Sequence, residues 1–317
     1  MFFFCIFFAF FANLDAFDDD ESFFSRYTVR EYLLSEPAAA SHLRQIFHKF
    51  PNSKRCIDAH LIFALRAKRE AHTLFDPAAR EEKLKEAIFD FETAFDFYDE
   101  RQFLDYENLI AHAKLEHAKS FLEIAQESSP IKKSIYFESG MEFLRRLYTE
   151  SQLPEAVMHQ VLYLLPYHLV NEGKIDEAEK ILTAAALKQE GKELAKSCFL
   201  LGQIALEKKR PNEALTYYAL AQSHGKGELS PSEQLKLWIS QSKAEYQIGN
   251  VRAAMRLLSQ VVNCPTASSL RIEAMFMRAE IYRFQGRVDL AKSQLESIVR
   301  IGGKSAKRAA QLIDNID

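Results

Sequence analysis

A chain of 317 residues that is 48% hydrophobic, with only ten glycines and nine prolines, has apolar surface enough for a large core and few residues that stop a helix. Its net charge of −3 supplies no field to draw nucleic-acid phosphates, which argues against that class of partner. Cys5, Cys56, Cys198 and Cys264 lie far apart with no Cys-x-x-Cys pair, so they read as small buried hydrophobes rather than a disulfide or zinc framework.

Residues 2–12 run Phe-Phe-Phe-Cys-Ile-Phe-Phe-Ala-Phe-Phe-Ala, followed by Asp15 and the acidic run Asp18–Glu21. This stretch falls short of the roughly 18 to 20 residues that span a bilayer and suits the apolar region of a secretory signal. On that reading residues 1–16 are a signal peptide cut after Ala16, and the mature protein is periplasmic or held in the cell envelope. Against it, no Lys or Arg precedes the run, and Leu14 stands where a small residue is usual. The alternative is a cytoplasmic protein whose uncleaved apolar segment is buried, or docks on the first repeat, a partner or a membrane. Export is preferred, because so many phenylalanines at a terminus are otherwise hard to keep in water.

Residues 17–52 read as N-terminal capping helices, Tyr27 to Ser35 and Pro37 to Phe50. Leu43, Ile46, Phe47 and Phe50 form one face of the second, suited to covering an apolar end of a repeat stack. Residues 53–158 carry two divergent hairpins. The first runs from Ser53 to Tyr98 and breaks at Asp76-Pro77; Ala87, Phe91 and Ala94 share one face of its second helix. The second runs from Asp105 to Tyr148 and breaks at Glu127–Pro130, where Ser129 can cap a helix that begins with Pro130. Gly140, Leu144 and Leu147 take its packing face.

Between 159 and 303 one hairpin recurs four times. Its second helices align on Ala178, Ala214, Ala254 and Ala291, at separations of 36, 40 and 37. Leu182, Tyr218, Leu258 and Leu295 follow four residues later, and Ala185, Ala221, Val261 and Ile298 three beyond those, which keeps all three on one helical face. Gly173, Gly249 and Gly286 stand at the same point between the helices, where a positive φ is cheapest for glycine. Pro211 breaks the second unit by a different route.

A period near 34 residues with this layout resembles the tetratricopeptide repeat family. Trp238 takes the family's early aromatic position, Leu201-Gly202 its Leu-Gly pair and Tyr282 its tyrosine, while Pro166, Ser242 and Ala279 replace glycine. The resemblance implies an all-α fold, a right-handed superhelical solenoid of antiparallel helix hairpins. It also implies a concave wall built mostly by the first helix of each hairpin. Carried over one by one, its solvent-facing positions are Tyr163, Tyr167 and Asn171; Lys196, Phe199 and Gln203; Lys236, Ile239, Lys243 and Gln247; and Phe276, Glu280, Arg283 and Phe284. Rings interleaved with amides and cations suit an extended or helical peptide, although some rings would instead pack on the neighbouring helix and thicken the core. Members that clamp the carboxyl terminus of heat-shock chaperones use Lys and Asn where Tyr163, Phe199, Ile239 and Phe276 stand here, which argues against that subclass. A looser likeness links the repeats to bacterial envelope assembly proteins.

Residues 304–317 read as a C-terminal capping helix, with Ala306, Ala309, Leu312 and Ile313 on one side and Lys304, Lys307 and Arg308 elsewhere. Catalytic chemistry has little support. His112 and Glu116 share a helix face, but two ligands are fewer than a metal site needs, and a solvated or hydrogen-bonded pair is the better reading. No nucleophile elbow, phosphate-binding loop or His-Glu-x-x-His motif occurs. The expectation is therefore a scaffold, without cofactor, metal or nucleic acid, that binds a protein or peptide partner and touches a membrane only through an uncleaved N-terminal segment. The alternative is a cytosolic secretion chaperone or regulator; a metal-dependent enzyme trails both.

Overall fold

The computed structural model describes residues 23–25, 37–101, 103–264 and 268–316. The signal-peptide segment 1–16 and the capping helix expected at Tyr27 to Ser35 lie outside the described residues. From residue 37 onward the regular structure is fourteen α-helices and one short 3-10 turn, and no strand occurs among the described residues. None of the described helices is long and apolar enough to cross a membrane. The chain divides between Leu165 and Pro166 into two compact units.

The first unit contains α1 (Pro37–Lys49), α2 (Arg55–Ala71), α3 (Pro77–Arg101), α4 (Glu107–Glu127), α5 (Pro130–Thr149) and the beginning of α6 (Glu155–Asn171). Pro77 and Pro130 each open a helix, because proline fits the first turn, whereas in the interior it removes a hydrogen bond and clashes with the preceding turn. The Asp76 carboxylate caps α3 by accepting from the backbone N–H groups of Ala78 and Ala79 at 3.4 and 3.1 Å. Ser129 departs from expectation. Its side chain makes no capping bond, and its carbonyl accepts from Lys133 N–H at 2.7 Å instead.

Leu43 and Ile46 of α1 are buried, and Phe47 packs beside them on α2. Ala87, Phe91 and Ala94 are at most 1% exposed, and Leu144 and Leu147 are equally buried on α5. Burying a phenylalanine or leucine side chain is worth about 1.5–3 kcal/mol, and an alanine methyl about 0.8 kcal/mol.

The second unit takes in the end of α6 and then α7 (Ile175–Ala186), α8 (Gly191–Glu207), α9 (Pro211–His224), α10 (Pro231–Gln247), α11 (Val251–Val262), α12 (Ser268–Phe284), α13 (Val288–Ile301) and α14 (Gly303–Asp314). From α7 to α14 each helix packs on the next. All twelve positions of the repeated three-residue face are at most 2% exposed, so the register read from the alanines is the register of the core.

The links inside the hairpins are also one structure repeated. Gly173, Gly249 and Gly286 have φ of +77°, +82° and +71°, and Lys209 occupies the same place at +56°. In each, the next residue donates its N–H five residues back, as Arg210 does to the Ala205 carbonyl at 2.7 Å and Arg287 to the Tyr282 carbonyl at 2.9 Å. That is the glycine-type helix stop, which satisfies the last carbonyls of the first helix before the second begins. Lys209 adopts a conformation in which an L side chain is crowded by its own carbonyl.

Candidate partner-binding surface

Within the second unit the first helices of successive hairpins touch one another, α8 against α10 and α10 against α12. They form a continuous wall, with the second helices α9, α11 and α13 behind it. Small residues allow the two layers to close: Gly202 lies against the Tyr218 ring, and Ser242 and Ala279 are buried at the equivalent points of α10 and α12.

The wall residues expected from sequence divide into three groups. Lys236, Lys243, Gln247, Glu280 and Arg283 are exposed, and Phe284 is 64% exposed. Lys196, Phe199, Gln203 and Phe276 are half-buried: Phe199 packs toward Tyr218, with ring centroids 6.0 Å apart, and Phe276 lies on the last core cluster. Ile239 corrects the expectation. It is only 2% exposed, because α12 covers it and it joins Leu235, Leu258 and Ile281 in the core.

The α6 residues fall on either side of the division between units. Tyr163 is half-buried in the first unit; Tyr167, 40% exposed, and exposed Asn171 belong to the second. Tyr167 meets His168 edge-on at 5.2 Å.

Ion pairs tie the wall together. Lys192 of α8 reaches Glu233 of α10 at 3.7 Å, and Lys243 of α10 reaches Glu273 of α12 at 3.0 Å. Lys196 pairs with Glu193 on its own helix at 3.4 Å. Such exposed pairs contribute about 0–1 kcal/mol each and matter more for the charge pattern than for stability.

Sequence reasoning missed the terminal helix as part of this surface. Arg308 lies 4.9 Å from the centre of the Phe276 ring, and Leu312, Asn315 and Ile316 share a recess with Phe276, Glu280 and Arg283. The three-and-four spacing of 308, 312 and 315 marks one helix face, which was a usable signal.

The His112–Glu116 pair is not solvated: both residues are buried. Burial pushes the Glu116 carboxyl up, but Lys68 at 2.8 Å and Lys119 at 2.7 Å outweigh it and hold the group at about 2. Burial also lowers His112. Glu116 is thus committed to two ammonium groups, and the described residues contain no group of three or more metal-ligating side chains. Cys56 and Cys198 are buried free thiols, and Cys264 is half-buried.

Hairpins stacked on one spacing, with a charged and aromatic wall of first helices, define a helical-repeat scaffold that presents a surface for protein interaction. The sequence profile of the tetratricopeptide repeat matches residues 195–223 and 273–301, which names the kind of repeat that these two hairpins carry. No curated protein matches it. Among solved structures it is similar to a chain of the APC/C hetero-tetramer Cut9–Hcn1 at 15% identity and a TM-score of 0.56, over 90% of this chain and 47% of that one. It is also similar to pilF of Pseudomonas aeruginosa, at 14% identity and a TM-score of 0.51 over 80% and 96%. A third likeness is to the quorum sensor NprR of B. thuringiensis in its apo form, at 10% identity and a TM-score of 0.53 over 95% and 89%. The chain thus spans under half the length of the first of these and most of the other two. At such identities the likeness is one of fold alone.

Proposed function

We propose that this protein is a non-catalytic adaptor that holds a protein or peptide partner along the first-helix wall of its second unit. One observation carries the reading: Lys236, Lys243 and Gln247 stand exposed on one face of α10 above buried Ile239, with α8 and α12 alongside. A rigid helix so placed offers charged and amide groups at fixed spacing to an extended segment. The family is generally non-catalytic, which agrees with this reading.

The test is site-specific photo-crosslinking of the native chain in its own cells. A photoreactive residue at Gln247 or Lys236 should give discrete partner adducts, and one at exposed Arg256 on α11, behind the wall, should give none. Adducts of equal yield from both faces would remove the wall from the proposal.

Export to the periplasm or envelope belongs to the same proposal and rests on residues 2–16. The alternative is a cytosolic protein that keeps the apolar run uncleaved as a docking segment. N-terminal sequencing of the untagged protein in fractionated cells decides between them: a chain beginning near Phe17 in an envelope fraction supports export, and an intact Met1 in the cytosol refutes it.

A further inference from the structure

Where the wall meets the terminal helix, α12, α13 and α14 line an open recess of about 200 Å³. Its floor is apolar: Ala279, Leu295 and Ile316 are buried, and Leu312 is 38% exposed at its edge. An apolar cavity of about 150 Å³ already accepts a benzene-sized group, so one large aliphatic or aromatic side chain fits here.

The rim is cationic. Arg283 of α12 sits 5.3 Å from the centre of the Phe284 ring, and Arg308 of α14 takes the similar position on Phe276. Each guanidinium is attracted to a ring face, a contact that leaves its N–H donors available for a carboxylate. Elsewhere on the wall Lys192, Lys196 and Lys243 each have a carboxylate partner; among the described residues Arg283 and Arg308 form no ion pair. Glu280, one turn before Arg283, is the rim's single carboxylate and pairs with neither.

We infer that this recess takes an internal segment of a partner polypeptide in which a large apolar side chain stands beside an aspartate or glutamate. The apolar group fills the recess, and the carboxylate takes hydrogen bonds from Arg283 and Arg308, for which a planar fork is suited. Glu280 disfavours a second carboxylate fixed on the backbone beside α12, whereas an acidic side chain can turn its charge toward Arg308. The inference rests on the first-helix wall being the binding face, and it assigns the chemistry recognised at one end of that wall.

The experiment is selection of random peptides, displayed with their carboxyl ends fused to a carrier, on the full-length chain. Enriched sequences are then synthesised with blocked termini and titrated. The expected result is an apolar–acidic pair in the enriched set. Arg283→Glu with Arg308→Glu should weaken binding about tenfold, as two exposed charged contacts would. Replacing the peptide's Asp by Asn should weaken it similarly without touching the protein, which keeps the test valid if the double variant misfolds. Leu312→Trp should remove the preference for the apolar residue by filling the recess.

Peptides enriched without such a pair, and bound equally by all variants, would overturn the inference while leaving the wall reading standing. No enrichment at all would count against both. Binding that needs a free α-carboxylate, or a dimer of the chain that Leu312→Trp dissociates, would give the recess to a chain end or a second copy and overturn the inference too.

Discussion

A Cβ on Gly202 would stand 2.4 Å from Cε1 of the Tyr218 ring and 2.7 Å from its Cδ1. The ring is fully buried between α8 and α9, so it has no open side to turn toward. Gly202→Ala should therefore force the two helices apart. Overpacking costs about 1–3 kcal/mol, and the better helix propensity of alanine returns up to about 1 kcal/mol, so a net loss near 1–2 kcal/mol is expected. Chemical denaturation reads it directly. Adding Tyr218→Leu should recover part of the loss, and additive effects of the two changes would contradict the contact.

Lys209 presents the opposite case. It holds φ of +56° where glycine stands in the other three hairpins, and its side chain is exposed. A left-handed L residue carries about 1–2 kcal/mol of strain, offset in part by the greater freedom of glycine in the unfolded chain. Lys209→Gly should raise stability by about 0.5–1 kcal/mol, seen as a higher melting temperature. An unchanged or lower value would mean that the turn is not strained.

These two positions show what the sequence could reveal and what it could not. The face Ala214, Tyr218, Ala221 repeats with offsets of four and three, and a helix turns that spacing into one buried stripe whatever surrounds it. Lys209 was harder to see, because the chain kept the geometry of the turn and changed the residue. The wall was legible only as a face. Periodicity puts Ile239 beside Lys236 and Lys243 but cannot say that α12 covers the isoleucine and leaves both lysines exposed. Arg308 and Leu312 were hidden for a related reason, since the way α14 docks on α12 is a tertiary fact. Glu116 was placed on the correct face with the wrong surroundings, because its partner Lys68 lies 48 residues away in sequence.

That ion pair supports a third prediction. Lys68 Nζ lies 2.8 Å from Glu116 Oε2 and 3.1 Å from Glu123 Oε1, and its side chain is 8% exposed. Lys68→Met leaves Glu116 buried with Lys119 as its remaining cation. Breaking one side of a buried pair typically costs about 3–5 kcal/mol, and the residual Lys119 contact places the expected loss toward the lower end. The double variant Lys68→Met, Glu116→Leu should be more stable than the single one, because no unmatched charge is left. If the single change costs under about 0.5 kcal/mol, the pair is effectively solvated.

The most distinctive titration in the first unit belongs to His117. The ring is completely buried and meets Phe91, Phe95, Phe121 and Phe143 edge-on, at centroid distances of 6.0, 5.4, 5.0 and 4.5 Å. Burial, with a smaller contribution from the Lys68 charge, lowers it from 6.5 to about 4. Glu92 approaches to 3.4 Å but does not reverse the shift. A histidine lowered on folding disfavours the proton in the native state, so its stabilising contribution is complete above pH 6.5. As pH falls from about 6.5 toward 4 the unfolded chain takes up the proton first, and stability drops by up to about 3 kcal/mol before levelling off. Glu116, held at about 2, shifts stability in the same direction but between about pH 4.5 and 2, so the two windows are separable. His117→Leu should remove most of the slope between pH 6.5 and 4 and leave the lower one in place. Denaturant midpoints at half-unit pH intervals would show this, and a variant whose slope in the upper window matches the wild type would assign that acid sensitivity to His112 and His168, which burial also lowers.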